Sequence, residues 1–329
     1  MKTKKLVYTF ICFLAGIYCT SCTAGHSSKP IAQGKTGDVL IVMSDYLWKG
    51  ACGDSVRHYL TEPVKGLPAP EPVFTLSQSN TLTPLFQKYR NILIINVDAG
   101  FERIKLGYKT DVYAQGQLIF NLDVPSPDSA IVGMFRSKDL MTARFLEKDR
   151  DAVIADYKKV IATPIVEKLR EKFQIDIVIP RSYSIYDEKS DFMWLSRQED
   201  DKDWYILMWE EPYQHKSQLE ADNLIAKMNA MTRKYVPGPS PGSYMADEPT
   251  VPPVVKRFEK DGIYCVQLNG LWQTENSYMG GPYVNHSIVD TKRGQIVTGI
   301  GFVFYPNRDK RHMIRQLEAI LYTMKPMTE

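Results

Sequence analysis

The sequence predicts two successive layers, an α/β domain over residues 37–176 followed by an antiparallel-sheet α+β domain over 177–329. Two observations predict this. The first half alternates short, continuously apolar runs with helix-period segments, as expected of a sheet covered by helices. From about Ile177 the apolar runs become aromatic and are separated by hairpin turns.

In the first half, Val39–Met43 reads as a buried strand, Asp54–Leu60 as a short helix and Pro72–Leu76 as a second strand. Thr83-Pro84 reads as a helix start with Leu85, Phe86 and Tyr89 turned inward. Asn91–Val97 and Gly116–Leu122 are further strands. Ser126-Pro127 opens a helix with Ile131, Val132 and Phe135 on one side, and helix is expected again from Lys138 and from Asp149 to Phe173. Pro164 removes a backbone donor and restricts Thr163, so a kink or break is expected there.

In the second half, Phe192–Ser196 and Trp204–Trp209 flank an acidic turn and form a hairpin. Ser217-Gln218-Leu219-Glu220 has the form of a capping box before a helix whose inward stripe is Leu224, Met228 and Met231. The loop 236–253 holds six prolines, which excludes regular structure. Strands follow at Gly262–Trp272, Tyr283–Asp290 and Gln295–Tyr305, and a final helix at Arg308–Tyr322 turns Met313, Leu317, Ile320 and Leu321 inward.

The chain begins with Lys2, Lys4 and Lys5 and then an apolar run, Leu6–Tyr18. A membrane helix needs ~20 apolar residues, so this shorter run reads as a signal peptide. Small residues precede Cys22, whereas Tyr18 before Cys19 is too bulky for a signal peptidase. The region resembles the relaxed lipobox of Bacteroidota lipoproteins, with Cys19 where a Leu is usual. The expectation is a signal over 1–21, lipid on Cys22 and a flexible tether over 22–36. No acid follows Cys22 closely, which points to a periplasm-facing protein.

Charge agrees with export. The chain carries 41 basic and 38 acidic residues, and the three lysines of the signal account for the whole excess. The remainder is balanced, which removes any global electrostatic case for nucleic acid. Of the five cysteines, Cys52 and Cys265 remain once Cys12 and Cys19 leave and Cys22 is modified. They read as buried free thiols.

Catalytic patterns fail on their mechanics. Gly238-Pro239-Ser240-Pro241-Gly242 matches the nucleophile elbow, but Pro241 has no N–H for an oxyanion. Gly34-Lys35-Thr36 lacks the first glycine and the preceding strand of a phosphate loop. His26, His58, His215, His286 and His312 are not spaced to share a metal locally, so no metal or cofactor is expected. Glu210 and Glu211 are adjacent on a strand and point to opposite faces. Ser55 and Ser129 follow aspartates in a pattern similar to O-glycosylation sites of envelope proteins, and both also read as helix starts.

The candidate binding surface is aromatic: Trp194, Trp204, Trp209 and Tyr213 from the first hairpin, with Trp272, Tyr278 and Tyr283 around Met279-Gly280-Gly281-Pro282. The competing reading is core packing of the sheet. The expected role is a membrane-tethered lipoprotein, non-catalytic, that binds or assembles with an envelope protein or glycan. The alternative is an envelope hydrolase with a site assembled from distant residues. A deep pocket where two or more titratable groups converge would favour the second, and a shallow aromatic groove or an apolar patch the first.

The stretches DVLIVMSDYLWKGACGDSVRHYL, EPVFTLSQ, LWQTENSYMGGPYV and GFVFYPNRDKRHMIRQLEAILY resemble blocks of a Bacteroidota lipoprotein family, the domain of unknown function 4837. The resemblance spans nearly all of the chain after the signal. It implies an envelope lipoprotein and assigns no residue a role. The order of elements over 181–329 also resembles the antiparallel sandwich of the photosystem accessory protein PsbP and the nuclear import factor Mog.

Overall fold

A five-stranded sheet is built by β1 (Asp38–Val42), β2 (Thr75–Ser79), β3 (Asn91–Val97), β4 (Lys105–Thr110) and β5 (Leu118–Val124), in the order β2-β1-β3-β5-β4. The computed structural model describes residues 29–327, so the expected signal, Cys22 and His26 lie outside the described residues. The three central strands are apolar and parallel, and β4 closes the edge antiparallel to β5. One face of this sheet meets α2 (Ala51–Leu60) and α3 (Pro127–Lys158) through Val56, Leu60, Met134, Met141 and Phe145. Before them, α1 (Asp45–Lys49) is a single capped turn. The other face carries a smaller cluster of Leu40, Val42, Ile92 and Ile119 under Leu82, Phe86 and Tyr89.

The second sheet is antiparallel. It contains β7 (Ser184–Lys189), β8 (Phe192–Glu199), β9 (Lys202–Pro212), β10 (Tyr244–Asp247), β11 (Val254–Lys260), β12 (Ile263–Glu275), β13 (Gly280–Asp290) and β14 (Gln295–Phe304). Its order is β10-β12-β13-β14-β9-β8-β7, with β11 paired to the rest of the β12 edge. Residues alternate between two cores. One face packs on α4 (Thr163–Phe173) and α6 (Arg311–Tyr322), the other on α5 (Ala221–Tyr235). A short ladder of β6 (Ile175–Asp176) with β15 (Lys325–Pro326) ties the end of α6 to the end of α4. Gly299 and Gly301 let α6 sit close on β14. A Cβ at Gly301 would lie 2.7 Å from Leu317 Cβ, and one at Gly299 would lie 2.7 Å from Leu321 Cδ2.

Several expectations are corrected. Thr83-Pro84 leads only to a 3₁₀ turn at Phe86–Lys88, and Leu85 is exposed. The helix after Ser126 is one element of 32 residues, and its buried side is Ala130, Met134, Met141 and Phe145. Val132 and Phe135 are exposed instead. The break comes at residues 159–162, because Pro164 takes a first-turn position of α4, where its missing N–H costs nothing. The capping box forms two residues early, between His215 and Gln218 around a 3₁₀ turn, and α5 starts at Ala221. The proline-rich loop does hold a strand, β10, which pairs with the far end of β12. Order begins before Asp38: Ile31 bridges to Gln115 and Gln33 to Tyr89.

The two sheets share a seam. Residues Ile31–Glu329 pack as one compact unit. At the seam α6 lies against α3, and the Glu71 carboxylate accepts from Lys310 N at 2.7 Å and Arg311 N at 2.8 Å at the start of α6. A buried carboxylate there satisfies otherwise open N–H groups and complements the helix dipole.

Candidate functional site

The seam encloses a cavity of about 480 Å³. That falls within the ~300–1,000 Å³ typical of small-molecule sites. Four segments supply most of its walls, α3, α6, the β11–β12 hairpin and the loop 63–67, and Thr36 and Val73 complete them. From α3 come Leu146, Asp149, Arg150 and Val153, a spacing that puts them on one helix face. From α6 come Ile314, Arg315, Glu318 and Tyr322, again one face. Phe258, Gln267 and Asn269 reach in from the hairpin.

The carboxylates are already engaged. Asp149 Oδ2 accepts from Gly37 N at 2.6 Å, while Oδ1 accepts from Asn91 Nδ2 at 3.0 Å and faces Arg90 Nη1 at 3.4 Å. Burial pushes its carboxyl upward, against the opposing pull of Gly37, Arg90, Arg315 and Asn91. Glu318 Oε1 accepts from Asn269 Nδ2 at 2.6 Å and Gln267 Nε2 at 3.1 Å.

The cations are in the opposite condition. Arg150 lies over the Tyr322 ring, with Cζ 3.6 Å from the centroid, and its buried Nε has no hydrogen-bond partner among the described residues. Arg315 donates Nη2 to Val73 O at 2.8 Å, but its buried Nη1 is also without a partner. Burial, then the neighbouring Arg311, lower the Arg315 pKa, against the opposing pull of Asp149, Glu318 and Glu71. Lys65 and Lys256 stand at the cavity as well. Four cationic side chains and two carboxylates therefore line one space, and both carboxylates are spent on internal hydrogen bonds.

This is not the shallow aromatic groove expected of a binding module, and the aromatic set is not brought together on one surface. Trp194, Trp209, Trp272 and Tyr283 are buried on the α5 side of the sheet, with Tyr213 packed at their edge. Trp204 is buried on the other side, as strand alternation requires. Tyr283 donates to Asp247 Oδ1 at 2.6 Å, and Trp272 Nε1 to Val303 O at 3.2 Å. Tyr278 alone of the seven is fully exposed. It borders an open groove of about 370 Å³ with Trp272, Met279, Gly280, Gly281 and Glu248.

The other sequence candidates have ordinary partners. Glu210 pairs with Arg293 and Glu211 with Lys227. Ser55 is buried within α2, and Ser129 lies beside Ser126, which caps α3. Ser243 Oγ donates to Ser240 O and accepts from Ser240 N, which closes the turn. Cys52 and Cys265 are free and buried, and burial pushes both thiols up to about 11. Among the described residues no three His, Cys, Asp or Glu side chains cluster as metal ligands would, and no helix is long and apolar enough to cross a membrane.

Sequence reasoning missed the seam cavity. One signal was present: Asp149 continues the buried stripe of Met141 and Phe145 at four-residue spacing, so a carboxylate occupies a core position.

Comparison with known proteins divides the chain at the same break as the helices. Residues 162–323 match the family described as Domain of unknown function (DUF4837). Residues 32–158 match a second, Domain of unknown function (DUF8532). The N-terminal stretches that resemble family 4837 thus fall within the match to the other family. No curated protein matches the chain. Several solved structures resemble roughly half of it. The Ran-binding protein Mog1p of Saccharomyces cerevisiae is 8% identical, with a TM-score of 0.33 over 46% of this chain and 90% of its own. LpqN, described as involved in cell envelope biogenesis of Mycobacterium tuberculosis, is 14% identical, with a TM-score of 0.28 over 46% and 83%. A protein of Bacteroides thetaiotaomicron is 10% identical, with a TM-score of 0.26 over 47% and 46%. At these scores the likeness extends no further than the match itself.

Proposed function

We propose that this protein is a non-catalytic binding protein of the cell envelope, anchored by lipid on Cys22 and facing the periplasm, whose ligand site is the seam cavity. One observation carries the reading. A cavity of ligand size is lined by four cationic side chains beside apolar walls, while its carboxylates are held by the fold. Carboxylates so engaged are poor candidates for proton transfer, and a positively charged lining with apolar walls suits a bound ligand. Partners among envelope proteins or glycans would then meet the protein elsewhere, with the groove beside Tyr278 as the exposed aromatic candidate.

Two measurements test the two parts. Native mass spectrometry of the full chain extracted from envelopes should reveal a bound small molecule that Val153→Trp, which fills the cavity from α3, excludes. The same mass excess over the bare chain in both proteins, or none in either, would overturn the site. Separately, Cys22→Ala should lose palmitate label and membrane fractionation. A variant that keeps both would overturn the anchor.

A further inference from the structure

We propose that the seam cavity takes an amphiphilic anion, a carboxylate or phosphate group carried on an apolar chain, with the anionic group at Arg150 and Arg315 and the chain along Leu67, Val153, Phe258 and Ile314. This rests on the cavity being a ligand site and names the chemistry of its occupant.

The charge pattern sets the sign. Arginines are half-buried at a cost that a counter-charge normally offsets. Asp149 and Glu318 act on Arg315 through space, yet the hydrogen bonds of each go to other donors: Asp149 to Gly37, Asn91 and Arg90, and Glu318 to Asn269 and Gln267. Arg150 is in no ion pair among the described residues. Its guanidinium carbon lies over the Tyr322 ring, and Lys260 Nζ also stands over that ring, at 4.6 Å from the centroid. A planar fork fixed by stacking suits bidentate capture of a carboxylate or phosphate. Lys65 and Lys256 are exposed, and neither is in an ion pair among the described residues, so they extend the positive field toward solvent.

The walls set the rest of the ligand. Leu67, Val73, Leu146, Val153, Phe258 and Ile314 are apolar surfaces that line the same space. A free inorganic anion would leave them wet, and an uncharged hydrocarbon would leave the arginines unmatched. An amphiphile satisfies both. The same chemistry arises in a free acyl carboxylate and in a lipid phosphate, and two arms of the test separate them.

The test titrates octanoate, octyl phosphate, octanol and inorganic phosphate by calorimetry into the full chain held in lipid nanodiscs, with empty nanodiscs as the blank. Octanoate or octyl phosphate should bind at least tenfold more tightly than octanol or inorganic phosphate, and the stronger of the two identifies the head group. Raising salt should weaken the anions and leave octanol unchanged. Arg150→Gln should weaken the anions about tenfold to a hundredfold. The ratio of anion to alcohol in the unaltered protein stands even if that variant folds poorly. Equal binding of octanol and octanoate, without salt dependence, would overturn the anion and leave the cavity as a ligand site. Binding of no probe overturns this proposal, and an empty cavity in native mass spectrometry overturns the reading beneath it.

Discussion

His286 on β13 is fully buried, and neither ring nitrogen has a hydrogen-bond partner among the described residues. Phe258 lies 5.8 Å from the imidazole, and the nearby cations Lys260 and Arg150 add to the effect of burial. Burial first, then these cations, depress its pKa to about 3, against about 6.5 for a free histidine. A depressed value means that the fold excludes the charged ring. The stability this provides is present above pH ~6.5 and is lost as pH falls from there toward 3. Each unit is worth about 1.4 kcal/mol, so at pH 5 the loss from this one ring is roughly 2 kcal/mol.

The perturbation is His286→Leu. It replaces an unmatched polar ring with an apolar side chain of similar bulk, which can be neutral or stabilising. At pH 7.5 the variant should be no less stable than the parent. At pH 5 it should gain a further ~2 kcal/mol over the parent, because the parent alone must neutralise the ring. Urea unfolding at pH 7.5, 6 and 5 measures both. Other acid-sensitive groups are common to the two proteins and cancel in the difference. Parallel stability curves from pH 7.5 to 5 would refute the reasoning, because the ring would then titrate alike in folded and unfolded chains.

Three further outcomes are expected. Glu71→Ala removes the acceptor for two backbone N–H groups of α6 and should cost about 2 kcal/mol in urea unfolding, with Glu71→Gln recovering part; an unchanged midpoint would dismiss the cap. Gly301→Ala sets a methyl against Leu317 at 2.7 Å and should cost about 1–3 kcal/mol by forcing α6 off β14, so a crystal structure of the variant with α6 unmoved would contradict it. Cys52 and Cys265, buried with thiols raised to about 11, should resist alkylation at pH 8 in the native protein and react fully in urea, as peptide mapping by mass spectrometry would record.

The central elements were legible because burial writes itself into composition. Asn91–Val97 and Leu118–Val124 have partners on both sides and cores on their faces, so few polar residues are tolerated. The hairpin from β13 to β14 was marked by the turn Thr291–Gly294, where Gly294 adopts a positive φ. The edges were not legible. β4, β7 and β11 each pair with one neighbour and carry sequences such as KLGYKT and SIYDEK, which keep an edge soluble and conceal its periodicity. The length of α3 was hidden for a related reason, since its outer face admits Val132, Phe135 and Leu140 as readily as charge. The cavity was out of reach because its walls lie far apart in sequence, on α3, on β12 and on α6. No local spacing records that Arg150 stacks on Tyr322.

The same seam explains why its cations stay unmatched. Acceptors near the seam are already engaged. Across it, Glu71 is taken by the first N–H groups of α6, and the carbonyls of Pro72 and Val73 by Arg311 and Arg315. Within the first half, Asp149 is taken by Gly37 and the start of β3. What remains inside is the surplus: Arg150 on its ring and the second nitrogen of Arg315. A purely structural seam gains little from such a surplus, since half-buried unmatched guanidinium groups cost stability and an apolar replacement would pack as well. Their placement around an open space with apolar walls is therefore better explained by an occupant that supplies the missing negative charge than by the packing of the two sheets alone.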